Sequence, residues 1–339
     1  MKSHDRRCAL GIAAVAVAAL ALTGCSRQQQ PPAATTPAPR GKAASAAGGP
    51  SGRPTDLIVF CRGERLYTIA PDGSGEQELP TGEGICAAPS WTRTQPRRVL
   101  YVKSAPGGKG SGLEALRYEI HELDPSSGQD KVLVPAWAGP PKSDVAFWDL
   151  ARPQVCPVSG RVAFVRSGGP QAQPVICVLP KAGAKPKIVL KGADLDVAAV
   201  QGQDTAWVVT ITREDPPHYG LRRTPLKPGV AGTELIPADR AFLSHPACSP
   251  DGRQVAYVEG DEPFQGDRVQ LLGESGEPES LYVTDGPSLD WPTWSPDGQW
   301  IALVRGTPAT GSQICLLTVA QPDAEPVVLT EGTQPAWYR

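Results

Sequence analysis

Two stretches of this chain spell nearly the same twelve residues. Ala247-Cys248-Ser249-Pro250-Asp251-Gly252-Arg253-Gln254-Val255-Ala256-Tyr257-Val258 returns about 46 positions later as Thr293-Trp294-Ser295-Pro296-Asp297-Gly298-Gln299-Trp300-Ile301-Ala302-Leu303-Val304. A repeat of this period is that of a propeller blade, a unit that cannot bury its own apolar faces and must stack on copies of itself. Each copy reads as strand, tight turn, strand. Pro250 and Pro296 fix φ near −65°, Asp251 and Asp297 bond the local backbone, and Gly252 and Gly298 supply the positive φ that closes the turn. A β-branched and aromatic run of period 2 follows.

Weaker copies fill the remainder. Pro89-Ser90-Trp91 precedes Val99 to Val102, Val155 to Gly160 precedes Arg161 to Val165, and Gln201 to Gln203 precedes Asp204 to Val209, although a first strand near Val197 to Val200 has lost the Pro-x-Trp signature. Third strands read at Leu66 to Ile69, Tyr118 to Leu123, Val175 to Leu179, Leu221 to Leu226, Val269 to Leu272 and Ile314 to Val319. Fourth strands read at Glu76 to Leu79, Lys131 to Val134, Lys187 to Leu190, Glu234 to Ile236, Ser280 to Val283 and Pro326 to Leu329. The expected fold is all-β, a six-bladed propeller of four-stranded blades. The first blade, entering at Leu57 to Phe60, has no Pro-x-Trp strand before it, whereas Gln334 to Arg339 is an inner strand with no blade after it. The last strand should complete the first blade and close the ring.

The Trp-Ser-Pro-Asp-Gly turn resembles the propeller repeats of the TolB family. Trp294 to Gly298 matches it fully, Cys248 replaces the Trp in the other close copy, and Leu329-Thr330 matches the end of the family's outer strand. The resemblance spans residues 56–339 and implies a TolB-like propeller. Nothing resembles the separate N-terminal α/β domain of TolB, so the resemblance does not extend to its translocation role.

Residues 1–24 read as a signal peptide, with Lys2, Arg6 and Arg7 ahead of an apolar run from Leu10 to Leu22 that is short for a membrane span. Leu22-Thr23-Gly24-Cys25 resembles a bacterial lipobox, which implies cleavage before Cys25 and attachment of diacylglycerol to its sulfur; an ordinary secretory signal is the alternative. Residues 25–55 then form a lipidated cysteine and a Pro-, Ala- and Gly-rich tether too poor in bulky apolar residues to offset the entropy of ordering. This organisation places the propeller outside the cytoplasm, anchored to the cell membrane by lipid and monomeric.

With net charge −2 and cations scattered over turns, the chain has no electrostatic footprint for DNA or RNA. Cys61, Cys86, Cys156, Cys177, Cys248 and Cys315 form an even set in an export context, compatible either with disulfides or with buried thiols. Cys61 with Cys86 is the best single pair, since the end of a second strand and the start of the next first strand share a propeller face. Zinc spacing is absent, His121, His218 and His245 lie far apart, no Gly-x-Ser-x-Gly elbow occurs, and the glycines of Pro106 to Gly112 lack phosphate-loop spacing. No metal, cofactor or catalytic constellation is expected.

Residues just before the inner strands are better candidates. If those strands begin at one mouth of the channel, His245, Asp290, Trp291 and Gln334 converge there, joined by Arg152 and Asp196, and offer the polar and aromatic chemistry of a binding mouth. The expected function is a non-enzymatic module that binds an envelope protein or a saccharide. The alternative is an exported lyase or hydrolase with His245 as general base, Asp290 orienting it and Arg152 stabilising negative charge.

Acylation at Cys25 makes a direct prediction. Cys25→Ala releases the protein from the membrane fraction, read by fractionation and immunoblotting, whereas wild-type mature protein retaining residues 1–24 contradicts it.

Overall fold

The computed structural model describes residues 56–92, 96–105, 117–136, 149–156, 159–167, 174–191, 194–199, 205–211, 218–240, 242–261, 266–307 and 311–338. The lipobox cysteine Cys25, the tether and the Pro106–Gly112 loop lie outside them. All regular structure described is strand, in six four-stranded antiparallel sheets. Among the described residues, no helix is long and apolar enough to cross a membrane.

The first sheet carries β1 (Ile58–Arg62), β2 (Arg65–Ile69) and β3 (Gln77–Glu78). The second holds β4 (Cys86–Trp91), β5 (Val99–Ala105), β6 (Arg117–Leu123) and β7 (Asp130–Val134), and the third β8 (Asp149–Val155), β9 (Val162–Ser167), β10 (Val175–Leu179) and β11 (Lys187–Lys191). The fourth holds β12 (Asp194–Ala199), β13 (Thr205–Ile211), β14 (Tyr219–Pro225) and β15 (Thr233–Arg240), the fifth β16 (Phe242–Cys248), β17 (Val255–Gly260), β18 (Arg268–Leu272) and β19 (Pro278–Val283). The sixth is β20 (Ser288–Trp294), β21 (Trp300–Thr307), β22 (Gly311–Thr318) and β23 (Val327–Glu331). The final strand β24 (Thr333–Trp337) returns to the first sheet, whose order is β24-β1-β2-β3. Closure by the C-terminal strand is therefore observed, with Ile58 opposite Trp337 and Val59 opposite Ala336.

The repeated turn folds as its residues dictate. Ser249 and Ser295 donate their hydroxyls to Asp251 and Asp297 at 2.6 and 2.5 Å, and each carboxylate also accepts a backbone N–H two residues on. The serine oxygens in turn accept the N–H groups of Gln254 and Trp300, while Gly252 and Gly298 sit at φ 76° and 70°. Asp251 is held below the usual carboxylate range first by the Ser249 hydroxyl and then by the Arg253 N–H.

Apolar packing is divided among six clusters, each shared by two neighbouring blades. One joins blades 6 and 1 through Ile58, Phe60 and Trp337 against Ala302, Ile314 and Leu316. The tryptophans of the repeat pack on the blade before their own. Trp294 is buried among fifth-blade residues and donates its indole N–H to the Ala247 carbonyl at 2.9 Å; Trp91 does the same to Ala336 at 3.1 Å. Cys248, in the same slot, is buried against the fourth blade. The recurring position is thus an inter-blade anchor: the indole fills the wedge, and its one donor meets an inner-strand carbonyl from Trp91 and Trp294 and the Asp56 carbonyl from Trp337.

Removal of Gln334 to Arg339 takes Trp337 from its cluster and bares the edge of β1. Loss of a buried Trp alone costs about 3–5 kcal/mol, so the truncated chain unfolds at markedly lower urea than the full one, read by intrinsic fluorescence. Equal midpoints would contradict the closure.

Candidate functional site at the channel mouth

Five inner strands break register at the same place. Pairing skips from Ala87 to Ser90 in β4, from Ala151 to Gln154 in β8, from Ser244 to Ala247 in β16 and from Asp290 to Thr293 in β20, and β24 carries the matching irregularity against β1. Each break holds a residue followed by proline: Ala88-Pro89, Arg152-Pro153, His245-Pro246, Trp291-Pro292 and Gln334-Pro335. The five residues have φ of 47°, 52°, 53°, 53° and 54°, a left-handed conformation that L residues rarely adopt. One extra residue in a strand leaves a backbone donor without a ladder partner, and proline has no N–H to leave. The bulge also takes the preceding side chain out of the strand's alternation.

The expectation that the site residues lie just before the inner strands is corrected here. Arg152, His245, Asp290, Trp291 and Gln334 are inside β8, β16, β20 and β24. The bulge, rather than a loop, brings them together.

Three of them meet although they come from blades 3, 5 and 6. The Arg152 guanidinium carbon lies 3.8 Å from the centroid of the Trp291 ring, a cation–π distance. The His245 ring lies 4.4 Å from the same indole, tilted by 32°. His245 Nδ1 pairs with the Asp290 carboxylate and lies 2.9 Å from the Ser244 hydroxyl; Asp290 also accepts the Trp291 N–H at 3.1 Å. The His245 side chain is 13% exposed and Asp290 39%, so the carboxylate is the part of the stack that faces solvent. On one side of the stack a cavity runs down the inner strands past Pro89, Pro246, Pro292 and Pro335. On the other, a recess between blades 6 and 1 is lined by Asp290, Trp291, Ser288, Ser312 and Thr333.

Gln334 does different work. Its Oε1 accepts the Ala88 N–H at 2.6 Å and the Cys61 S–H at 3.3 Å, which ties the closing strand to β4. Asp196 lies in β12, paired with Val209, and its side chain is outside the described residues. Ala88 occupies the fifth bulge and was not among the expected site residues.

A second polar group, not anticipated from the sequence, is built into blade 2. Asp130, the first residue of β7, accepts from the Tyr101 hydroxyl at 2.8 Å, meets His121 Nδ1 at 3.0 Å and lies 3.4 Å from Lys103 Nζ. His121 Nε2 faces Glu119 at 3.3 Å. Burial would push the Asp130 carboxyl up, but the His121 and Tyr101 hydrogen bonds, with the charges of His121 and Lys103, hold it below the usual range. The cluster fastens the outer strand to the two strands inside it.

Residues 228–333 match the family described as the lipoprotein LpqB beta-propeller domain. Among solved structures the chain is similar to TolB from Acinetobacter baumannii, with 16% identity, a TM-score of 0.62, and coverage of 85% of this chain and 67% of that one. It is similar also to a TolB-type protein from Agrobacterium tumefaciens (14% identity, TM-score 0.54, 84% and 92% covered) and to a chain of a nidogen–laminin complex (9%, 0.60, 84% and 98%). These likenesses establish a TolB-like propeller fold. No curated protein matches the chain in sequence.

Gln334 separates a structural role from a recognition role. Gln334→Ala leaves the buried Ala88 N–H without its acceptor, a loss of about 1–3 kcal/mol, measured by urea unfolding. A variant as stable as wild type would show that Gln334 does not pin the closing strand.

Proposed function

We propose that this chain is an exported, lipid-anchored propeller that acts at the cell envelope as a non-enzymatic binding module. Its contact surface is the channel mouth around Arg152, His245, Asp290 and Trp291. The observation that carries this reading is the convergence of two side chains, Arg152 and His245, on the indole of Trp291, the three coming from separate blades and each held by a strained bulge of the ring. Strain of about 1–3 kcal/mol per residue persists only where the surroundings over-determine it, and it concentrates at functional sites. A stack presented from inner strands loses little entropy on binding, which favours recognition by a preformed surface.

The envelope location draws support from the lipobox read at Cys25 and from the match of residues 228–333 to a lipoprotein propeller domain. A lipid anchor followed by a flexible tether would let the ring sample the space beside the membrane. A protein or a saccharide in that space would meet the exposed Asp290 carboxylate and the hydroxyls of Ser288, Ser312 and Thr333.

The hydrolase or lyase alternative fits the geometry less well. In a nucleophile–His–carboxylate relay, the two partners engage opposite ring nitrogens. Here the Asp290 carboxylate and the Ser244 hydroxyl both meet Nδ1, and Ser244 is buried.

The reading is tested by crosslinking the tethered protein in its native envelope and identifying what it captures. His245→Ala with Trp291→Ala lowers capture at least tenfold while the melting profile still shows a closed, folded ring. Undiminished capture by the folded double variant would move the contact surface away from the mouth.

A further inference from the structure

The six described cysteines are all buried. Their placement is selective. Cys315, Cys177, Cys248 and Cys156 lie one each in four different inter-blade clusters, whereas Cys61 and Cys86 share the cluster between blades 1 and 2. The fifteen complete pairings open to six cysteines thereby reduce to a single feasible contact. Cys61 Sγ is 3.7 Å from the Cys86 carbonyl oxygen, and Cys86 Sγ is 3.9 Å from the Gly84 carbonyl. The two strand ends are tied through the backbone, the Cys86 N–H bonding to the Glu64 carbonyl in the turn that follows β1.

We propose that Cys61 and Cys86 are a disulfide-forming pair that joins the closing blade covalently to its neighbour in an oxidising compartment. The proposal rests on the reading of the chain as exported. Bond formation requires the Cys86 side chain to turn from the Gly84 carbonyl toward Cys61, whose sulfur already lies against the Cys86 carbonyl across the blade 1–blade 2 seam. The bond closes a loop containing only β2 and β3, so it can form as soon as residues 57–91 have emerged, long before β24 arrives. Early formation matters: burial, with Cys86 close by, pushes the Cys61 thiol far above its ordinary range, so the folded ring holds almost no thiolate there. The oxidant is a protein or small-molecule disulfide. One cysteine thiolate attacks it, forming a mixed disulfide and expelling one thiolate; the second cysteine then attacks the first one's sulfur and expels the other. Two protons and two electrons leave the pair, and the oxidant departs as two thiols.

Oxidation also changes the contact that ties the closing strand to β4. Cys61 S–H is one of the two donors to Gln334 Oε1, so the disulfide leaves that oxygen held by the Ala88 N–H alone.

Two preparations of the full chain test the pair. The first is refolded from denaturant in a mixture of reduced and oxidised glutathione, then alkylated, digested without reduction and examined by mass spectrometry. The expected result is a Cys61–Cys86 cross-linked peptide, with Cys156, Cys177, Cys248 and Cys315 alkylated. Alkylation of both Cys61 and Cys86, or a bond to any other cysteine, overturns the proposal. The second is protein isolated from its native envelope with thiols trapped at lysis. A Cys61–Cys86 bond in the refolded chain and its absence in the native one would sink the export reading while leaving the pairing intact. Melting provides a separate readout: Cys86→Ser lowers the Tm of the oxidised protein by roughly 5–10 °C, as dithiothreitol does to wild type, whereas Cys315→Ser leaves the effect of dithiothreitol in place.

Discussion

Every apolar cluster in this ring is shared between two blades, so the pairing of β24 with β1 is the constraint on which the remainder depends. Without it, Ile58, Phe60 and Trp337 have no sixth blade to pack against, and the cluster between blades 6 and 1 ceases to exist. The seam is correspondingly well supplied. Tyr338 N–H bonds to the Leu57 carbonyl at 3.0 Å, its ring meets Trp91 edge-on at 5.4 Å, and Arg97 lies over it at 3.8 Å. Arg62 reaches from β1 to Glu76, Thr330 and the Glu331 carbonyl. About a third of each partner in the Arg62–Glu76 pair is exposed, so that ion pair adds direction more than stability; the buried aromatics carry the closure.

That closure is also what permits strain at the channel. Five left-handed residues at about 1–3 kcal/mol each amount to a cost comparable with the net stability of a whole domain. Inter-blade packing offsets it, most directly where an anchor just past the bulge is bonded to the neighbouring inner strand. Trp91 and Trp294 follow their bulges by two or three residues and are locked to the carbonyls of Ala336 and Ala247, themselves just past the bulges of the preceding blades. Anchor and bulge are therefore parts of one device, which packs outward and presents a side chain inward.

The sequence made the outer half of that device plain. Pro-x-Trp and Ser-Pro-Asp-Gly, with the β-branched and aromatic runs spaced from them, placed 24 strands in six blades and left Pro335 to Tyr338 with no blade of its own. The inner half was only partly legible. Arg152, His245, Trp291 and Gln334 each stand directly before the proline of a Pro-x-anchor run, and so does Ala88, but alanine carries no chemistry to attract notice. A skipped ladder register leaves no compositional mark, so these positions read as loop residues rather than as bulges. Gln334 looked like a mouth residue because its amide is polar; the contact with Ala88 across the closing seam links residues 246 positions apart, which no local pattern reports. The Tyr101–His121–Asp130 cluster escaped for the same reason, being assembled by pairing across three strands.

Blade 4 shows what the proline contributes. Its inner strand has Val197 where the others have proline, and it also carries an extra residue, but the break falls earlier, between Asp194 and Asp196. Asp196 and Val197, at the place of the X-Pro pair elsewhere, are in register with Val209 and Val208. A valine keeps its N–H and loses a ladder bond if it is bulged, so the ladder retains it; a proline loses nothing. The extra residue alone makes a bulge, and the proline decides where it sits. In five blades it sits at the same place, and in three of them the preceding residue, Arg152, His245 or Trp291, joins the stack, so the chemistry of the mouth follows from which residue the sequence places before each proline.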